Sequence, residues 1–91
     1  MKAFEQKTVS STVVGLNPEI YKHGYEIADS AMLSVRGGAI YCRMDGGEPQ
    51  DGLGTFLGAG DVLDLESTNE VKFFKAIRSG SVDAVIAVDF S

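Results

Sequence analysis

The amino-acid sequence predicts an all-β domain, an antiparallel two-sheet β-sandwich or barrel with a jelly-roll-like winding among its variants. Three observations lead there: apolar and polar residues alternate with a period of two, the alternating segments are rich in β-branched and aromatic residues, and turn signals separate them about every eight to twelve residues. Alternation of this kind marks strands with one face on a core and the other in water.

The pattern is clearest at the end of the chain. In Val82-Asp83-Ala84-Val85-Ile86-Ala87-Val88-Asp89-Phe90, the set Val82, Ala84, Ile86, Val88 and Phe90 shares one face and is expected to be buried. Before it, Val71-Lys72-Phe73-Phe74-Lys75-Ala76-Ile77-Arg78 reads as a strand ending at Ser79-Gly80-Ser81, a turn that predicts an antiparallel hairpin with the last strand. A second hairpin is expected from Ala31-Met32-Leu33-Ser34-Val35, the turn Arg36-Gly37-Gly38, and Ala39-Ile40-Tyr41-Cys42-Arg43-Met44. Shorter strands are expected over 8–14, 55–57 and 61–65. Between 17 and 30 the pattern weakens to a crossover loop, where Asn17 can cap one helical turn with Pro18 at its first position.

At 91 residues, with 44% hydrophobic and 23% charged residues, the chain has the composition of one globular domain. We divide it into an N-terminal strand or arm, 1–16, and the sandwich proper, 17–91. A core this small gains from self-association or docking, and Cys42, the single cysteine, cannot form an intrachain disulfide. Eight Lys and Arg against thirteen Asp and Glu give a formal charge of −5, which disfavours nucleic acid as a partner. Glu5 and Gln6 stand where a signal peptide needs apolar residues, and no apolar run is long enough to span a bilayer. The expectation is a chain made and kept soluble in the cytosol, with no membrane partner.

Candidate chemistry is sparse. Cys42 and His23 would need to meet to act as nucleophile and base, but Cys42 alternates inside a strand as a small buried hydrophobe and His23 lies in a loop. Three carboxylates in Asp45-Gly46-Gly47-Glu48-Pro49-Gln50-Asp51 offer oxygen ligands without the spacing of a calcium-binding EF-hand loop. The glycine cluster over 52–60 leads into another strand rather than a helix, so it fits turns better than a phosphate-binding loop. No catalytic residue, cofactor or metal is therefore expected. Tyr21, Tyr25 and Tyr41 suit either core edges and protein contacts or a sugar-stacking platform. In the N-terminal segment, Val9 and Val13 would share a strand face with Lys7 and Ser11, a weakly amphipathic pattern. We expect Lys7, Val9, Ser11 and Val13 to serve as an interface, the alternative being an ordinary edge strand.

The order of motifs over 31–90 resembles a family of small structural proteins encoded among the virion genes of tailed bacteriophages. It is carried by Ala31-x-Leu33-x-Val35, Ile40-Tyr41-Cys42-Arg43-Met44-Asp45-Gly46, Pro49, Leu57, Ala59-Gly60-Asp61 and Phe74-Lys75-Ala76-Ile77-Arg78-Ser79-Gly80, with Glu48 where the family often has Thr. These are turn and core positions, so they speak to fold more than to activity. The resemblance implies a capsid decoration or cement protein, made in the host cytoplasm and placed on the capsid surface, with a major capsid protein and copies of itself as partners. The Asp-Gly-x-x-Pro turn also resembles one in sandwich modules appended to glycosidases, which implies a small carbohydrate-binding module as the alternative.

Overall fold

The structure is a computed structural model and describes residues 3–23, 26–50 and 52–91, the side chains of His23 and Glu26 excepted. In chain order the described elements are β1 (Ala3–Val9), β2 (Val14–Gly15), α1 (Pro18–Tyr21), β3 (Lys22–His23), β4 (Glu26–Ile27), β5 (Ala31–Arg36), β6 (Ile40–Arg43), β7 (Thr55–Leu57), β8 (Val62–Leu65), α2 (Thr68–Phe73), β9 (Lys75–Arg78) and β10 (Ala84–Phe90). They build two four-stranded antiparallel sheets, ordered β1-β10-β5-β8 and β2-β9-β6-β7, with β3 and β4 as a separate small ribbon.

Setting that ribbon aside, β1 pairs with β10, β2 with β9, β5 with β8 and β6 with β7, so the first strand meets the eighth, the second the seventh, the third the sixth and the fourth the fifth. The chain is one long hairpin with its tip between β6 and β7, rolled until β10 reaches β5 and β9 reaches β6. That winding makes the sandwich a jelly roll.

Both expected hairpins turn out to be crossings between sheets. β5 and β6 lie in opposite sheets, as do β9 and β10, although each pair is joined by the short glycine turn that the sequence places there. A tight turn sets the distance between two strand ends but not whether the second strand lies beside the first or faces it. Here the inner faces of both strands have to be covered, and facing them across a core about 10 Å thick covers both. The two crossings pack on each other: a Cβ on Gly38 would stand 2.9 Å from the Asp83 carbonyl oxygen and 3.1 Å from that of Val82. An ion pair of 2.6 Å between Arg78 and Asp83 ties together the ends of the second crossing.

The core follows the alternation. Leu33 and Val35 of β5, Ile40 and Cys42 of β6, and Ala84, Ile86, Val88 and Phe90 of β10 are all buried, each large apolar side chain contributing about 1.5–3 kcal/mol. The last two strands hold central places, β10 between β1 and β5 as expected, and β9 between β2 and β6, though β9 keeps only Lys75–Arg78 of the segment expected there. Val82 departs from the pattern: it is 57% exposed because β10 begins only at Ala84.

The strand expected over 71–78 is helix in its first half. Ser67 accepts from the Glu70 N–H at 3.2 Å, and the Glu70 carboxylate reaches back to the Glu66 N–H at 3.0 Å, which opens α2. Ser67-x-x-Glu70 has the spacing of a capping box, so the signal was present and outweighed the strand-like composition after it. Within 17–30, Asn17 caps α1 through a 3.0 Å bond from the Glu19 N–H, with Pro18 at the first position, as the sequence predicts.

Of the two expectations for 1–16, strand or arm, the described residues form strands of their own sandwich. β1 pairs with β10 over its full length and β2 pairs with β9, so this segment supplies an edge to each sheet. The strand expected over 8–14 is interrupted at Ser10, where the chain leaves the first sheet for the second.

Candidate interaction surfaces

Among the four residues expected at an interface, Val9 is fully buried in its own core, which removes its side chain from any contact with a neighbour. Lys7 also turns inward: it lies 3.1 Å from the Glu5 carboxylate and donates to the Gly15 carbonyl. Ser11 is exposed and Val13 half-buried, both beyond the end of β1. The break after β1 is why the four do not share a face, since alternation persists only while the strand does.

Glu5, with 5% of its surface exposed, is a buried carboxylate at the mouth between the sheets. It accepts from the Asn17 N–H at 3.0 Å in addition to its ion pair with Lys7, so it is satisfied by a charge and by the backbone just before α1. Burial first, and then the nearby Glu5 carboxylate, raises the Tyr21 phenol above its ordinary value. Tyr21 itself is buried, its ring 6.0 Å from that of Phe90.

The outer faces of the two sheets differ. On the first, Phe4, Asp89, Met32 and Asp64 stand in one cross-strand row, with Gln6, Ala87, Ser34 and Val62 in the next. Phe4, Met32 and Val62 are 50–58% exposed around a centre of smaller side chains. On the second, Phe56, Tyr41 and Ile77 form a row across β7, β6 and β9, followed by Arg43 beside Lys75. Tyr41 and Phe56 meet edge to face, 5.4 Å between centroids. The outward ladder positions of this second sheet hold no acidic residue, although the chain as a whole is strongly acidic. The tyrosines therefore divide: Tyr21 belongs to the core, Tyr41 to an outer face, and Tyr25 lies outside the described residues.

The acidic loop is the tip of the rolled hairpin. Asp45 is held by Arg43 through contacts of 2.6 and 3.1 Å and accepts from the Gly47 N–H at 3.0 Å, while Asp51 lies outside the described residues. These hydrogen bonds lower the Asp45 carboxyl to about 2. Both its oxygens already accept hydrogen bonds within the loop, and no cluster of three or more potential metal ligands occurs among the described residues. Cys42 is buried, which pushes its thiol up to about 11 and keeps it protonated; the side chain of His23 lies outside the description.

A groove of about 430 Å³ opens beside the β5 and β8 ends, lined by Met32, Leu65, Asp64, Glu66, Ser30 and Ser91 among others. Among the described residues no helix is long and apolar enough to cross a membrane. No protein-family model matches the chain, and no curated protein matches it in sequence.

Proposed function

We propose that this chain is a non-enzymatic structural component of a bacteriophage virion, a capsid decoration or cement protein that stabilises the head through protein–protein contacts. The observation that carries the reading is the pair of outer faces on which ordered sheet presents large apolar side chains to water, Phe4, Met32 and Val62 on one and Phe56, beside the half-buried Tyr41 and Ile77, on the other. Apolar side chains grouped on a rigid face gain free energy when a partner covers them. A jelly roll is suited to such a role, and the order of motifs over 31–90 points the same way. A net charge of −5 fits the outer surface of a shell better than its DNA-filled interior.

The test is to add the purified chain to heads of the phage that encodes it, assembled without it, and to measure co-sedimentation and head stability. Saturable binding that weakens with Phe56→Ser is expected. Absence of binding at micromolar concentration would remove the proposal.

A carbohydrate-binding module is the second reading, and the outward Tyr41–Phe56 aromatic pair, Phe56 exposed and Tyr41 half-buried, is what favours it, since such rings can stack on a sugar face. A glycan array decides between the two: saturable sugar binding lost in Tyr41→Ala would favour the module.

A further inference from the structure

Among the described residues, the outer edge of β1 pairs with no other strand. β1 is the end strand of the first sheet and, at seven residues, the longest edge strand among the described residues; the other edge strands of the two large sheets, β8, β7 and β2, have four, three and two. Apart from the ladder to β10, no backbone group of β1 makes a hydrogen bond among the described residues. It contains neither proline nor bulge, two of the devices by which sheet edges are kept from pairing; its inward-turned Glu5 and Lys7 belong to a third, inward-pointing charge, which is neutralised here because the two pair with each other. Its third residue is Glu5 and its fifth Lys7, both turned inward, so the strand is locally neutral in an acidic protein.

We infer that β1 pairs antiparallel with β1 of a second copy of this chain, about a two-fold axis at Gln6, to give one continuous eight-stranded sheet. The charges select this register. Centred on Gln6, the pairing sets Glu5 opposite the partner's Lys7 and Lys7 opposite the partner's Glu5, with Phe4 beside the partner's Thr8 on the outer face. Sliding by two residues one way brings Glu5 against the partner's Glu5, and sliding the other way brings Lys7 against the partner's Lys7. Like charges directly opposite are unfavourable. A slide by one would turn the partner's core face outward. The interface is self-complementary, as two-fold symmetry requires, and its affinity comes from main-chain hydrogen bonds. It stands apart from the docking proposal, because a dimer can form with or without a shell to bind.

The test uses the full chain. Sedimentation is expected to show a dimer at about 100 μM, a concentration at which even a micromolar Kd leaves little monomer. Register is read by cross-linking. In the proposed dimer, opposed Cα atoms lie about 4.5–5.5 Å apart, within disulfide reach, so Gln6→Cys is expected to oxidise to a covalent dimer. Phe4→Cys alone should not, since the two copies of Phe4 would be about 13 Å apart along the strands, whereas Phe4→Cys mixed with Thr8→Cys should cross-link. Cys42, buried and protonated, does not compete. A monomer at that concentration, or Phe4→Cys cross-linking as readily as Gln6→Cys, would overturn the inference. A dimer that ignores phage heads would sink the docking proposal and leave this one standing.

Discussion

Gly38 and Asp83 lie against each other where the two sheet-to-sheet crossings meet, with only 2.9 Å between the place of a Gly38 Cβ and the Asp83 carbonyl oxygen. Gly38→Ala forces backbone against backbone, so it is expected to lower stability by about 1–3 kcal/mol. Urea unfolding measures the change. A midpoint equal to that of the unsubstituted chain would show that the two crossings do not touch.

Phe73 and Phe74 are adjacent, yet Phe74 is buried and Phe73 is 42% exposed. Phe74→Ala is expected to cost about 3–5 kcal/mol, a large part of the roughly 5–14 kcal/mol expected for a domain of this length. Phe73→Ala loses an exposed contact with the Lys72 ammonium and should cost about 1 kcal/mol or less. Thermal unfolding of the two variants ranks them, and the reverse order would contradict the placement of α2.

Asp45 has its carboxyl lowered to about 2 by Arg43 and the Gly47 N–H. Its folded value lies below the ordinary value of about 3.9. The stabilisation from this ion pair is therefore fully present above about pH 4 and lost as pH falls through about 2. NMR titration of the Asp45 carboxyl should show the low midpoint, and Arg43→Gln should move it upward; an unchanged midpoint would mean that Arg43 does not hold it.

Cys42 should resist thiol reagents in the folded protein, since it is buried and its thiol is raised to about 11. Modification by a neutral aromatic disulfide is expected to become complete only on unfolding. Rapid reaction of the native chain at pH 8 would place Cys42 at the surface.

A chain beginning at Leu16 loses β1 and β2, an edge of each sheet, together with the buried Val9. It is expected not to fold, and circular dichroism with denaturant titration should show no cooperative transition. A folded truncated chain that no longer associates would instead restore the reading of 1–16 as a detached arm.

Much of the fold was legible because strand alternation reports burial directly. Ile86, Val88, Leu33 and Ile40 are inside, and the Asn17-Pro18 cap is where its chemistry places it. The capping box at Ser67 and Glu70 was equally legible but was masked by the aromatic residues after it. At the surfaces less could be read. Lys7 and Val9 looked like members of one exposed face with Ser11 and Val13, and only the break after β1 separates them.

By itself the sequence determined which residues of each strand are buried and where the chain turns, because these follow from side-chain polarity and local backbone preference. Only the tertiary structure decided which strand pairs with which. Alternation requires that the inner faces of β5, β6, β9 and β10 be covered, but a covering strand satisfies that requirement from the facing sheet as fully as from alongside. The choice was made by packing at long range: closing the roll brings β10 between β1 and β5 and β9 between β2 and β6, and it turns Glu5 inward toward Asn17 while leaving the outer edge of β1 unpaired among the described residues.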